Sequence, residues 1–259
     1  MEEIRTALVC GATQGIGKAS ALQLAKNGFR VVILGRNEEK LIETVNELKA
    51  ISAKKHDFLK ADFSIPSSLQ KVIHEWINAG NQADILINNT GGPKGGPILD
   101  ADIQEFLDAF NQHLICNHIM VQAVVPGMKQ RSFGRIINII STSVKQPLPN
   151  LGVSNTIRGA VGNWSKSLAN ELGQFNITVN NVLPGATKTG RLEFIAASKA
   201  EKTGETKDQI FEEMAKESPM HRLANPEEIA NAVAFLASDA ASYINGINVP
   251  VDGGRTKSL

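Results

Sequence analysis

Short runs of β-branched and apolar residues alternate along this chain with longer stretches in which apolar positions recur at helical spacing. The short runs fall at 6–10, 29–34, 55–60, 84–87, 134–140, 177–183 and 245–250, mostly bounded by turn-forming residues. The helical stretches fall at 15–27, 38–51, 67–79, 101–127, 152–173 and 226–237. Such alternation is the mark of repeated βαβ units, and near-continuous apolar strands are buried on both faces. The pattern therefore predicts an α/β fold: a doubly wound, parallel, seven-stranded sheet with helices on both faces. No internal repeat, low-complexity tract or Pro/Ser-rich linker divides 1–259, which reads as a single domain. One segment breaks the rhythm. Residues 185–224 are polar, rich in Lys, Glu and Thr, and long for a connection. They read either as a lid-like helical insertion over the ligand-binding end of the sheet or as a solvated excursion.

Composition narrows the class of partner. A chain of 259 residues with 42% hydrophobic and 20% charged content can bury a substantial core. Its net charge of +1 comes from 27 basic and 26 acidic residues without long blocks of one sign. That leaves no electrostatic footprint for nucleic acid or a membrane surface, and a small-molecule partner is expected. Cys10 and Cys116 are too few for a disulfide framework and lack the paired spacing of a zinc site, so they read as buried thiols and no metal site is expected. The start, Met1, Glu2, Glu3, Ile4 and Arg5, has neither a basic nor an apolar leader region, and no run reaches bilayer length. A cytoplasmic protein is expected.

The segment Gly11-Ala12-Thr13-Gln14-Gly15-Ile16-Gly17 follows the first strand and opens the first helix. Glycines there permit a tight turn and close approach of backbone to a diphosphate, whose charge the free N–H groups of the helix start can hold. These residues resemble the short-chain dehydrogenase/reductase fingerprint T-G-x-x-x-G-I-G, with Cys10 in the place of the usual Thr. The resemblance continues along the chain. Asp62, with Phe63 beside it, matches the family's Asp near the adenine ring. Asn88-Asn89-Thr90-Gly91 resembles the N-N-A-G motif, Pro184-Gly185 with Thr187 and Thr189 resembles the motif beside the nicotinamide, and Ile244 to Gly254 resembles the closing strand and turn. The resemblance implies a Rossmann-like, dinucleotide-binding domain. At the end of the second strand, where an acidic residue would hold the ribose hydroxyls of NAD, Gly35 and Arg36 stand instead. A guanidinium grips a 2′-phosphate, which favours NADP, with NAD as the alternative; an Arg merely exposed in a loop is the competing reading.

The catalytic pattern departs from the family. Its active members carry Asn, Ser, Tyr and Lys, the last two as Y-x-x-x-K. Here the single tyrosine is Tyr243, in the closing segment. The family Ser matches Ser141, but the Tyr position holds Ser154 and the Lys position, one helical turn on, holds Arg158. The Asn position falls on His113, with Asn117 one turn further along. The set resembles a divergent branch near the 3-oxoacyl-[acyl-carrier-protein] reductases in which S-N-x-x-R replaces Y-x-x-x-K. Ser141 and Ser154 could hydrogen-bond a carbonyl oxygen, and Arg158 could reach the nicotinamide ribose or steady a developing oxyanion. None of them is a good proton source. His113 has the right unperturbed pKa, directly or through water, although a lone His on a helix is also an ordinary packed residue.

Two functions follow. The first is an NADP(H)-dependent oxidoreductase with a non-standard proton path, acting on a carbonyl or hydroxyl substrate, an acyl thioester among the candidates. The second is a catalytically inactive nucleotide-binding homologue serving as sensor or partner subunit. The resemblance also implies a homodimer or homotetramer, with helices 101–127 and 152–173 pairing across a two-fold axis. Gly152, Gly159, Ala160, Gly162 and Ala169 would permit close approach, or they pack against the protein's own sheet.

Overall fold

In the computed structural model, which describes residues 4–258, seven strands form one parallel sheet. In chain order they are β1 (Thr6–Cys10), β2 (Arg30–Gly35), β3 (Asp57–Lys60), β4 (Ile85–Asn88), β5 (Gly134–Ile139), β6 (Ile177–Pro184) and β7 (Asn248–Val251). Their spatial order is β3-β2-β1-β4-β5-β6-β7, so the winding reverses between β1 and β4. A crevice opens at such a reversal, beyond the carboxyl ends of the strands. Met1, Glu2 and Glu3, which entered the reading of the chain's start, lie outside the described residues. No helix described is long and apolar enough to cross a membrane.

Period-two alternation divides the strand residues between two cores. Ala7, Val9, Val31, Ile33, Ile85 and Ile87 pack on one face against helices α1 (Gly15–Lys26) and α2 (Glu38–Ile51) and the last helix. Leu8, Val32, Leu34, Leu86, Ile136 and Val179 pack on the other, against α3 (Pro66–Asn78) and the two long helices that follow. Every residue of β1, β4 and β5 is buried, including Arg135, Asn88 and Asn138 among the apolar ones. The edge strands β3 and β7 are partly exposed.

The stretch expected as one helix over 101–127 is divided into α4 (Ile103–Phe110), a π-helical turn (Asn111–Ile115) and α5 (Cys116–Gln130). A π turn adds a residue to the helix and re-aims the side chains on it, and such turns concentrate at functional sites. Pro126 lies inside α5 on its exposed side, where water can satisfy the carbonyl that its missing N–H leaves free. After β5 and β6 come α6 (Gly152–Leu172), α7 (Gly190–Thr203), α8 (Lys207–Lys216) and α9 (Pro226–Ala237). The polar segment 185–224 thus holds two helices. Gly204, at φ 75°, ends α7, and Thr206 with Gln209 forms a capping box that starts α8. Its two ends are tied together: Lys188 N–H donates to the Ala224 carbonyl and Ala224 N–H to that of Ala186, both at 2.9 Å.

The run at 245–250 begins as a turn. Asn245 accepts from Val179 N–H and donates to the Ala169 carbonyl, Gly246 sits at φ 72°, and the strand starts only at Asn248. Four asparagines then cross the sheet in register. Asn88 Nδ2 donates to Asn138 Oδ1 at 2.8 Å, Asn138 Nδ2 to Asn181 Oδ1 at 2.9 Å, and Asn181 Nδ2 to Asn248 Oδ1 at 2.8 Å. These are the partners that the strand pairing itself places side by side.

Candidate active site

A cleft of about 580 Å³ lies over the carboxyl ends of β1, β2, β4, β5 and β6, bounded on its far side by the start of α7. Of the residues expected at the site, all but Gly17 and His113 line it.

Its first end is built of backbone. Gly11 and Gly15 adopt φ 59° and 56°, the left-handed region that costs glycine little. A Cβ on Gly11 would lie 2.6 Å from the Asn89 carbonyl oxygen, and one on Gly17 would lie 2.2 Å from the Gly11 carbonyl oxygen. Gly17 therefore serves the loop from behind, by letting α1 pack under it. Asn89 Nδ2 clamps the turn by donating to the carbonyls of Cys10 and Gly11. Gln14, at the N-cap of α1, makes no side-chain capping bond, so first-turn amides beside Thr13, Gly15 and Ile16 stay free for an anion. Gly91 has open space where a Cβ would stand. This cradle fits a dinucleotide diphosphate.

At the outer edge Arg36 is exposed, and among the described residues it joins no ion pair. Asp62 faces the same edge with Phe63. Its carboxyl is held below the ordinary range mainly by the Ser64 N–H, aided by the Ser64 hydroxyl and the Arg36 charge. Pro184, Gly185, Thr187 and Thr189 line the opposite wall. Thr189 caps α7, its hydroxyl accepting from Leu192 N–H.

The second end is built of side chains. Ser141, just past β5, caps a short 3₁₀ turn by accepting from Ser143 N–H at 3.1 Å. Ser154 and Arg158 lie on one face of α6 and are both buried. Arg158 Nε donates to Ser154 Oγ at 3.3 Å and Nη1 donates to the Ile140 carbonyl at 2.6 Å. Burial, and then the charge of Arg191, push this guanidinium down to about 10. A serine that accepts from a guanidinium keeps its own O–H free to donate elsewhere.

His113 stands behind this wall, in the π turn. Its Nδ1 is 2.7 Å from Thr90 Oγ1, and Thr90 itself faces the cleft. Nε2 and Asn88 Oδ1 are buried without a partner, and both residues line a second cavity of about 10 Å³ that Asn117 and Arg158 also touch. That space matches a single water with polar neighbours. Burial first, and the Arg158 charge second, hold the His113 imidazolium well below its usual range, so the ring is neutral at physiological pH.

Arg191, absent from the sequence expectations, lines the cleft beside Gly92 and Pro93 and donates to the Pro93 carbonyl. One signal was available: a cation in the first turn of a helix opposes the helix dipole, and Arg191 directly follows the capping motif Thr189-Gly190. Gly152 and Gly162 admit Ile98 and Val144 of the chain's own fold, where a Cβ would come within 2.5 Å and 2.9 Å, and Ala169 is in the core.

A glycine-rich cradle at the winding reversal, with Ser141 and the Ser154–Arg158 pair facing it, defines a dinucleotide-dependent oxidoreductase architecture. The family model described as Enoyl-(Acyl carrier protein) reductase matches residues 11–256, and the chain belongs to this family of short-chain dehydrogenase/reductases. Among curated relatives, the NADPH-dependent reductase BacG of Bacillus subtilis (strain 168) is 36% identical over 260 residues, covering 98% of this chain and 99% of the relative. A 3-oxoacyl-[acyl-carrier-protein] reductase FabG of Staphylococcus epidermidis is 33% identical over 254 residues, covering 96% and 98%. Among solved structures, YwfH, described as an NADPH-dependent reductase involved in bacilysin biosynthesis, superposes with a TM-score of 0.93 at 33% identity, covering 99% of this chain and all of that one. L-sorbose reductase from Gluconobacter frateurii, complexed with NADPH and L-sorbose, gives 0.93 at 30% identity, covering 99% and 98%.

Proposed function

We propose that this protein is an NADP(H)-dependent reductase of small carbonyl compounds whose proton path runs through Thr90 and His113. The supporting observation is that the glycine cradle, Arg36 and the Ser141, Ser154 and Arg158 group all line one continuous cleft. The glycine turn and Thr189 would hold NADPH, which when bound would supply a hydride equivalent for the substrate's carbonyl carbon. Arg36 grips the 2′-phosphate, which disfavours NADH. Ser141 and Ser154 donate hydrogen bonds to the carbonyl oxygen, and Arg158, fixed by Ser154 and Ile140, stabilises its developing negative charge. The oxygen takes its proton from the Thr90 hydroxyl, which recovers one from His113 Nδ1. His113 Nε2 in turn accepts from a water of the small cavity, which regains its proton from bulk solvent, so the net proton comes from solvent and the neutral ring passes it without acquiring charge. In this reading 185–224 is a lid whose tied ends hinge α7 over the cleft.

The test is oxidation of NADPH by the purified protein across a panel of ketones and oxoacyl thioesters, with NADPH binding measured separately. Turnover that Ser154→Ala suppresses while NADPH binding persists is the expected result. Bound NADPH without turnover of any carbonyl would leave a nucleotide-binding homologue in place of an enzyme.

We infer a cytoplasmic homo-oligomer as well. Ile103 and Leu107 on α4, with Leu99 before it, are 76%, 50% and 96% exposed, an apolar group of the kind that marks an interaction surface. Light scattering at micromolar concentration should give a multiple of the chain mass, and Leu107→Glu should reduce it.

A further inference from the structure

The inner end of the cleft holds positive charge that no carboxylate among the described residues balances. The ionisable side chains lining the cleft are Arg36, Asp62, Arg158 and Arg191, and Asp62 sits at the far edge with Arg36. Arg158 is buried, and its bonds go to a hydroxyl and a backbone carbonyl. Arg191 is half-buried and donates to a backbone carbonyl. Among the described residues neither forms an ion pair. Buried charges are ordinarily paired, because an unpaired one forfeits its hydration for nothing.

The arrangement is unfavourable on two counts. The two guanidinium groups lie close enough that Arg191 depresses the ionisation of Arg158. Arg191 also occupies the first turn of α7, a helix of 14 residues, where the dipole is already positive. Such a cluster is stable in use only if an anion completes it. The carbonyl end of the substrate is already assigned to Ser141 and Ser154, so the anion is a second group on the same molecule.

We propose that the substrate is an oxo acid, its carboxylate bound between Arg191 and Arg158 while its carbonyl faces Ser141 and Ser154. This rests on the carbonyl-reductase reading above and adds the substrate class to it. A guanidinium pairs with a carboxylate through parallel hydrogen bonds that a neutral ester cannot reproduce. The same chemistry would suit a cofactor phosphate, and the experiment separates the two sources.

The experiment pairs acids with their neutral counterparts, pyruvate with methyl pyruvate and levulinate with methyl levulinate, and follows both turnover and binding. In the wild-type protein at least one acid should exceed its ester in kcat/KM by about tenfold or more, carried mostly by KM. Arg191→Met should erase that margin and Arg191→Lys should restore part of it. Calorimetric titration of the acid into NADPH-loaded protein should show the same order, and NADPH affinity should be unchanged by Arg191→Met. Equal handling of acid and ester would overturn the proposal. So would a loss of NADPH affinity in Arg191→Met with the acid preference intact, since the guanidinium would then serve a cofactor phosphate. Binding of the acid that depends on Arg191, without turnover, would uphold the anion site and remove the reductase reading. Reduction of neutral ketones without preference for acids would uphold the reductase reading and remove this one.

Discussion

The two ends of the cleft are made of different material. Around Gly11, Gly15 and Gly17 the ligand-facing surface is main chain, and the side chains there act by being absent: a Cβ on Gly17 would overlap the Gly11 carbonyl. Around β5 and α6 the surface is side chain, supplied by Ser141, Ser154 and Arg158 with Thr90 beside them. The first end therefore keeps its motif while the second is free to change its chemistry. Departure from the Y-x-x-x-K pattern at 154 and 158, beside an intact glycine turn, is what that asymmetry permits.

The comparison is open to attack at both ends. The largest effect is expected from Gly17→Val, which forces side chain into the Gly11 carbonyl: overpacking of about 1–3 kcal/mol in thermal melts and loss of calorimetric NADPH binding. Retained binding would mean that the backbone end is less constrained than the geometry indicates. At the other end, His113→Leu should lower kcat by about 10²- to 10⁴-fold with NADPH affinity preserved, as expected for lost proton transfer. Ser154→Ala should cost about 10²- to 10³-fold in kcat, the scale of one oxyanion donor. A smaller change is expected from Arg36→Ala, about 10- to 100-fold in NADPH affinity with NADH unaffected.

The smallest effect concerns pH. The folded protein keeps His113 neutral well below the usual range, while the unfolded chain binds that proton near pH ~6.5. Below that pH the unfolded state holds more protons, so stability falls as pH falls, by up to ~1.4 kcal/mol per unit until the folded ring titrates. Urea melts of His113→Leu between pH 7 and 5 should show a shallower decline than the parent, where pH 7 and 5 are roughly either side of the free imidazole value. His56, lowered chiefly by its own burial, contributes in the same sense to both proteins.

What the chain displayed openly follows the same division. Strands such as β1 and β2 could be read because both faces are buried and the apolar run is continuous. The break of 101–127 at Asn111 could not, since a π turn changes hydrogen bonding without leaving a mark in composition. Residue 55 to 56 read as strand, yet the His56 ring substitutes for a backbone partner by accepting from Val31 N–H, and β3 starts at Asp57. Gly152 and Gly162 left contact between subunits and packing within the chain both open, because close approach to a partner and close approach to Ile98 or Val144 demand the same residue. The position of Arg191 beside Arg158 depends on how 185–224 folds back, a tertiary fact that no local pattern carries.

The row of asparagines across β4, β5, β6 and β7 has a consequence for the depth of the cleft. Sliding any of these strands by one residue would turn its amide to the opposite face and leave its neighbours' donors and acceptors facing hydrocarbon. The four side chains thus work as a gauge, fixing β4, β5 and β6 against one another and with them the different heights at which Thr90, Ser141 and Pro184 emerge.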